Sequence, residues 1–155
     1  GIGSGSLTTV LASIVGKTGQ VISYDNRQDF IDHAKKNLIT TQLIDRVIIK
    51  HKDVTQGISE TNVDAVILDI PNPWDAVEHA DNALCPGGYL CTYSPLISQV
   101  EQSVKEIRKH SFTMIKTIEI IEREMIVGEN GTRPSFNMLG HTGYLTFARK
   151  TLKEK

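Results

Sequence analysis

The sequence predicts an α/β domain built on a mostly parallel sheet, with an antiparallel hairpin at its C-terminal edge. Short, nearly continuous apolar runs alternate with stretches of helical spacing, as strands covered on both faces by helices do. Three of those runs end at or just before an aspartate: Asp25, Asp53 and Asp69. Late in the chain the alternation stops, because no helix is evident between the last two strand candidates, residues 113–121 and 143–148.

Taken in order, Gly1-Ile2-Gly3-Ser4-Gly5-Ser6 is a glycine-rich loop. Residues 7–15 follow with Leu7, Val10, Leu11 and Ile14 at helical spacing, and Gly16 with Gly19 ends that helix. Val21-Ile22-Ser23-Tyr24 is a short strand terminating in Asp25. Residues 28–39 read as a helix with Phe30, Ile31, Ala34 and Leu38 on one face. Val47-Ile48-Ile49 is the next strand, and residues 63–69 the one after it. Pro71-Asn72-Pro73-Trp74 breaks that strand, and a helix runs to about Leu84. Pro86-Gly87-Gly88 turns into the strand Tyr89-Leu90-Cys91-Thr92-Tyr93. Ser94-Pro95 closes it and opens a helix to about His110 that carries Ile97, Val100, Val104 and Ile107. Between the last two strands lies a stretch rich in Glu, Arg, Asn and Gly, which reads as a long loop.

With 155 residues, 39% hydrophobic and 23% charged, the chain has the make-up of one soluble globular domain. No apolar run approaches the roughly 18 residues of a membrane span, and no leader pattern opens the sequence. Cys85 and Cys91 flank the Pro-Gly-Gly without metal-ligand spacing, so reduced cytoplasmic thiols and no metal are expected. A net charge of −1 means that any grip on nucleic acid is local, or comes from another segment or subunit. A glycine loop of this kind needs a strand feeding it from the middle of the sheet, and here the sequence opens on the loop. The expectation is therefore one domain, residues 1–155, of a longer protein whose first core strand lies outside it.

Gly1, Gly3 and Gly5 let a backbone approach a ligand closely and present N–H groups at a helix start. A dinucleotide fingerprint would want glycine where Ser6 stands; Gly-x-Gly-x-Gly suits an S-adenosylmethionine site better, and a plain tight turn is the alternative. Asp25 ends the next strand, where ribose hydroxyls arrive, although a helix cap would explain it too. Asp53 stands where a cofactor's adenine amino group would be met, or is a solvated turn acid. Asp69 leaves the carboxyl end of a central strand, and two prolines stiffen the exit, which suits a carboxylate held in one geometry for catalysis. Trp74 reads as packing against the following helix rather than covering a pocket. Taken by themselves, Tyr93-Ser94-Pro95, Gln99, Thr132-Arg133-Pro134 and His141-Thr142-Gly143-Tyr144 are weak signals, and the charged helix faces near Lys35 and Lys105 read as solvated.

Together these segments resemble the Rossmann-like class I methyltransferase fold. Their order is similar to one family, the tRNA adenine-N1 methyltransferases that act on position 58 of the T-loop. The resemblance runs through Gly1-Ile2-Gly3-Ser4-Gly5-Ser6-Leu7-Thr8, Tyr24-Asp25, Asp53-Val54, Leu68-Asp69-Ile70-Pro71-Asn72-Pro73-Trp74, Pro86-Gly87-Gly88, Tyr93-Ser94-Pro95, Gln99-Val100, Thr132-Arg133-Pro134 and His141-Thr142-Gly143-Tyr144-Leu145. Asp-x-Pro-x-Pro-Trp with a distant Thr-Arg-Pro and His-Thr-Gly-Tyr is the specific part; the glycine loop is generic to the fold.

The resemblance implies S-adenosylmethionine as cofactor, held by Gly1, Gly3, Gly5, Ser6, Leu7, Asp25, Asp53, Val54 and Asp69. It implies tRNA as substrate, a cytoplasmic homotetramer, and an N-terminal β-rich domain absent from these residues. Asp69 is the expected catalytic residue. Bonded to the adenine 6-amino group, its carboxylate would stabilise the positive charge that appears as N1 is alkylated. Pro71, Tyr93, Arg133 and His141 would line the site for the flipped base or a nearby phosphate. A nicotinamide-dependent dehydrogenase, a non-catalytic subunit of the same fold and a methyltransferase for another substrate are the competing expectations.

Overall fold

The computed structural model describes residues 1–152, which fall into two compact units, the first Gly1–Ser59 and the second beginning at Glu60. Cys85 and Cys91 form no disulfide. No helix among the described residues is long and apolar enough to cross a membrane.

In the first unit α1 (Ser6–Ile14) leads to β1 (Val21–Asp25), α2 (Gln28–Thr40) and β2 (Val47–His51). β1 and β2 pair in parallel, Val21 opposite Val47 through Asp25 opposite His51. Ile31, Ala34 and Leu38 form the buried seam of α2, with Ile2 and Ile49 packed against Ile31 and Ala34. Phe30 departs from expectation. One residue before Ile31, it is turned about 100° off the seam, and it is 37% exposed under the Arg27 guanidinium, 3.7 Å from its ring centre. On α1 the buried residues are Thr8 and Ala12, while Leu7, Val10 and Ile14 face outward. The Thr8 hydroxyl bonding Ser23 on β1 at 2.9 Å accounts for that choice of face.

In the second unit β3 (Val63–Leu68), β4 (Leu84–Ser94), β8 (Tyr144–Lys150) and β5 (Phe112–Glu119) form one sheet in the order β3-β4-β8-β5. β3 and β4 are parallel; β8 runs antiparallel to β4 and to β5. The expected antiparallel edge is present, with β8 entering the sheet inside β5. α3 (Val77–Ala83) and α4 (Ile97–Ile107) contact β4. Leu68, Leu90, Thr92, Ser94, Thr146 and Ala148 are among the sheet's buried residues. Lys150 ends β8 in a buried ion pair with Asp81 of α3, and also donates to the Asp81 carbonyl at 2.6 Å.

Two expectations are corrected here. Pro86-Gly87-Gly88 is not a turn before the strand but a bulge inside β4: Val63 pairs with Leu84, and Ala65 already with Tyr89. Gly88 fits there because a Cβ would stand 2.9 Å from the Cys85 carbonyl oxygen and 3.0 Å from that of Asp64. The long loop after β5 contains a hairpin, β6 (Met125–Gly128) paired with β7 (Gly131–Pro134) around Glu129 and Asn130.

Candidate functional site

In each unit predicted residues stand at the carboxyl ends of the parallel strands, where open α/β sheets bind ligands; Arg133, on the antiparallel hairpin, and His141, in the loop before β8, lie elsewhere. In the first unit the glycine loop turns over the end of β1. Gly3 and Gly5 lie in the left-handed region, φ 54° and 82°, and the Gly5 N–H donates to the Ile2 carbonyl at 2.9 Å. A Cβ on Gly5 would also stand 3.0 Å from that of Ala34 on α2. Asp25 is 7% exposed and holds the loop: Oδ2 accepts the N–H of Ile2 at 2.8 Å and of Gly3 at 3.3 Å, while Oδ1 accepts the N–H of Arg27 at 2.9 Å. A carboxylate has about four lone-pair sites, so one is left for a hydroxyl. Asn37 donates to the Ser4 carbonyl at 2.8 Å, and the Ser4 and Ser6 hydroxyls bond at 2.8 Å. Gly1 and Leu7 are exposed on either side of the loop.

Asp53 caps a 3-10 turn over Val54–Gln56. Its Oδ1 accepts the Thr55 N–H at 2.9 Å and the Thr55 hydroxyl at 2.7 Å, and Oδ2 accepts Asn26 Nδ2 at 3.2 Å. The Thr55 bonds, with a smaller part from Asn26, hold this carboxyl below the usual carboxylate range. Asn26 follows Asp25 directly, so the ends of β1 and β2 are tied together with Val54 beside them.

In the second unit Asp69 leaves β3 just after the buried Leu68. A 3-10 turn, Pro73–Ala76, follows with Pro73 and Ala76 buried. Trp74 is half-buried in that turn, in keeping with packing. Between those anchors Asp69, Pro71 and Asn72 are exposed. Gln99, in the first turn of α4, donates from Nε2 to the Pro71 carbonyl at 2.9 Å and accepts the Leu96 N–H through Oε1 at 3.1 Å.

Tyr93, near the end of β4, donates its hydroxyl to the Thr142 carbonyl at 2.6 Å. His141 uses both ring nitrogens, Nδ1 2.6 Å from a Glu119 carboxylate oxygen and Nε2 2.6 Å from the Pro95 carbonyl. The Glu119 carboxylate first, then the Pro95 carbonyl, push the imidazole up from its ordinary 6.5, because both acceptors favour the doubly protonated ring. The tail of the chain is thereby fastened to the loop after β4. Arg133, on β7, has local contacts: its guanidinium lies 4.7 Å over the Phe136 ring and donates to the Pro134 carbonyl.

The structure thus groups Gly1, Gly3, Gly5, Ser6 and Leu7 around Asp25, and links Asp53 and Val54 to them through Asn26. It groups Asp69 and Pro71 in one loop, and Tyr93 with His141 through Thr142 and Pro95. Sequence reasoning passed over Glu119 and the bridging of Gln99. Glu119 carried a usable signal, an acid near a strand end, the same signal that marked Asp25. Among the described residues no group of three or more His, Cys, Asp and Glu stands ready for a metal ion.

A family model described as tRNA methyltransferase complex GCD14 subunit matches residues 1–131. The chain is 42% identical to a tRNA (adenine(57)-N(1)/adenine(58)-N(1))-methyltransferase TrmI of Methanocaldococcus jannaschii, over 96% of this chain and 62% of that protein. It is 34% identical to a tRNA (adenine(58)-N(1))-methyltransferase TrmI of Thermus thermophilus, over 97% and 59%. Among solved structures, a SAM-dependent O-methyltransferase from Thermotoga maritima superposes with a TM-score of 0.95 at 36% identity, over 100% of this chain and 58% of that one. The tRNA (m1A58) methyltransferase TrmI of Aquifex aeolicus gives 0.87 at 27%, over 99% and 61%. The fold is the Rossmann-like methyltransferase fold. The chain spans 59–62% of the length of these curated relatives.

Proposed function

The chain belongs to the tRNA methyltransferase complex GCD14 subunit family. From that premise we propose that its protein methylates N1 of adenine in the T-loop of tRNA at position 58, with the neighbouring 57 as a second candidate position. S-adenosylmethionine is the cofactor. Two relatives matched over nearly the whole chain support the reading: the name of the one at 42% identity prints adenine 57 and 58, and that of the one at 34% prints adenine 58. The observation that carries it is the Asp69 loop, an exposed acid at the end of β3 in a backbone stiffened by Pro71 and Pro73.

The residues fit a nucleoside cofactor. Gly3 and Gly5 hold a backbone conformation that side chains resist, and a Cβ built on Gly3 meets nothing within 4 Å. The loop leads into the N-terminus of α1, Asp25 keeps an acceptor for a ribose hydroxyl, and Asp53 supplies a second acid past the next strand. When bound, S-adenosylmethionine supplies an activated methyl group on a sulfonium. Gly1, Gly3, Gly5, Ser6, Leu7 and Val54 would hold it by backbone and packing contacts.

Asp69 would accept a hydrogen bond from the 6-amino group of the target adenine. That bond raises the electron density at N1 and offsets the positive charge growing on the ring. Tyr93 donates its hydroxyl proton to Thr142, so what it offers a flipped base is its ring and the acceptor side of that oxygen. Pro71 would border the base, His141 would keep the Tyr93-Ser94-Pro95 segment in position, and Arg133 on the exposed hairpin would meet a phosphate.

The protein would be cytoplasmic, where tRNA is met, and a homotetramer. The second unit's hairpin and following loop support association by exposing Val127, Phe136 and Leu139. Residues 1–155 would be the cofactor-binding catalytic part of a longer chain with an N-terminal β-rich domain and a further core strand.

An oxygen acceptor is the second reading, because the Thermotoga structure carries an O-methyltransferase name. The intact protein, incubated with methyl-labelled cofactor and unmodified tRNA transcript, tests both. Label in 1-methyladenosine that disappears when the T-loop adenines are replaced by guanine supports the proposal. No transfer to tRNA, with the cofactor bound, contradicts it and favours a non-catalytic subunit or another substrate.

A further inference from the structure

We propose that Gln99 is the positioning residue for Asp69; this rests on the reading of Asp69 as catalytic. The Asp69–Trp74 loop is anchored at its two ends, by Leu68 in β3 and by Pro73 against its surroundings, both buried. Its middle is poor in handles. Pro71 and Pro73 have no N–H, so the backbone here offers mainly carbonyl oxygens to an outside donor. Gln99 is such a donor, at 2.9 Å from the Pro71 carbonyl, two residues beyond Asp69.

The same amide closes the start of α4. Leu96 occupies the helix cap without an oxygen in its side chain, and Gln99 three residues on accepts the Leu96 N–H, the returning half of a capping box. Ser103 is fully buried and bonds the Gln99 carbonyl at 2.7 Å, which fixes the backbone that carries the amide. One planar group therefore joins the loop after β3 to the loop after β4. Glutamine suits the position because it accepts at one end and donates at the other.

That division of labour makes Gln99→Glu discriminating. The new carboxylate still accepts from Leu96, so the helix cap survives, but it turns an oxygen toward the Pro71 carbonyl where a donor is needed. The loop is then pushed off its tie, and Asp69 moves with it. Misplacement of a reacting group by about 1 Å can cost on the order of 100-fold in rate.

The test uses the intact protein with unmodified tRNA transcript, comparing wild type, Gln99→Glu and Asp69→Ala. For Gln99→Glu the single-turnover methylation rate is expected to fall about 10- to 100-fold. Affinities for cofactor and tRNA should stay within about threefold, and the thermal midpoint should hold, because a cap retained costs little stability. A wild-type rate in Gln99→Glu beside an inactive Asp69→Ala overturns the role of Gln99 alone. A wild-type rate in Asp69→Ala overturns the catalytic reading and this inference with it. If Gln99→Glu loses its thermal midpoint, Gln99→Met, similar in length and without donor or charge, decides: a lower rate at unchanged affinities supports the positioning role, and an unchanged rate contradicts it.

Discussion

Asp25 accepts the backbone N–H of Ile2 at 2.8 Å, so the acid at the end of β1 holds the glycine loop from below. The bond is buried, and the same oxygen takes the N–H of Gly3. Asp25 therefore shapes the glycine loop, and on the proposed reading it also offers an acceptor to the cofactor.

Asp25→Ala is expected to weaken both. It leaves the Ile2 N–H buried without its partner, a loss of about 1–3 kcal/mol of stability. Cofactor affinity should fall at least about tenfold, since the loop and a ribose acceptor go together. Isothermal titration with a thermal melt checks this. Unchanged affinity would remove Asp25 from the cofactor site.

Gly143→Ala should displace Tyr93. A Cβ there would stand 2.4–2.5 Å from the ring and hydroxyl of Tyr93, and Gly143 has φ 132°, which side chains resist. The expected cost is about 1–3 kcal/mol from overpacking alone. A crystal structure of the variant should show the bond from Tyr93 to the Thr142 carbonyl broken. A melt superimposable on wild type would show that the ring yields without cost.

The contact of His141 with Glu119 should make stability depend on pH in one direction. A histidine whose pKa is raised by folding contributes stability that is fully present below its unfolded value, 6.5 here, and lost as pH climbs through the higher folded value. Wild type should therefore lose thermal stability as pH rises above 6.5, and Glu119→Gln should lose less over the same interval. Parallel curves would mean that the pair contributes nothing measurable.

Much of the fold was legible because its signals are local. The three acids at strand ends and the buried seam of Ile31, Ala34 and Leu38 emerge from spacing alone. The entry of β8 between β4 and β5 does not, because sequence order carries no information about which antiparallel neighbour lies inside. The β6–β7 hairpin is masked in the sequence: Met125, Ile126 and Val127 are only a short apolar run, and Gly128-Glu129-Asn130-Gly131 has a composition that loops and tight turns share. Phe30 misled because one residue along a helix changes its face. At the candidate site the residue types were visible but their bonds were not. Gln99 reaches Pro71 across 28 positions and His141 reaches Glu119 across 22, and no periodicity links residues so far apart.

Mapping reverse-transcriptase stops on tRNA treated with the intact protein tests most directly whether Asp69 drives methylation of a T-loop adenine. Wild type should produce a stop at position 58, and Asp69→Ala should produce none while binding the cofactor within about threefold of wild type, because the lost interaction belongs to the transition state. A stop of equal strength in Asp69→Ala would contradict the account.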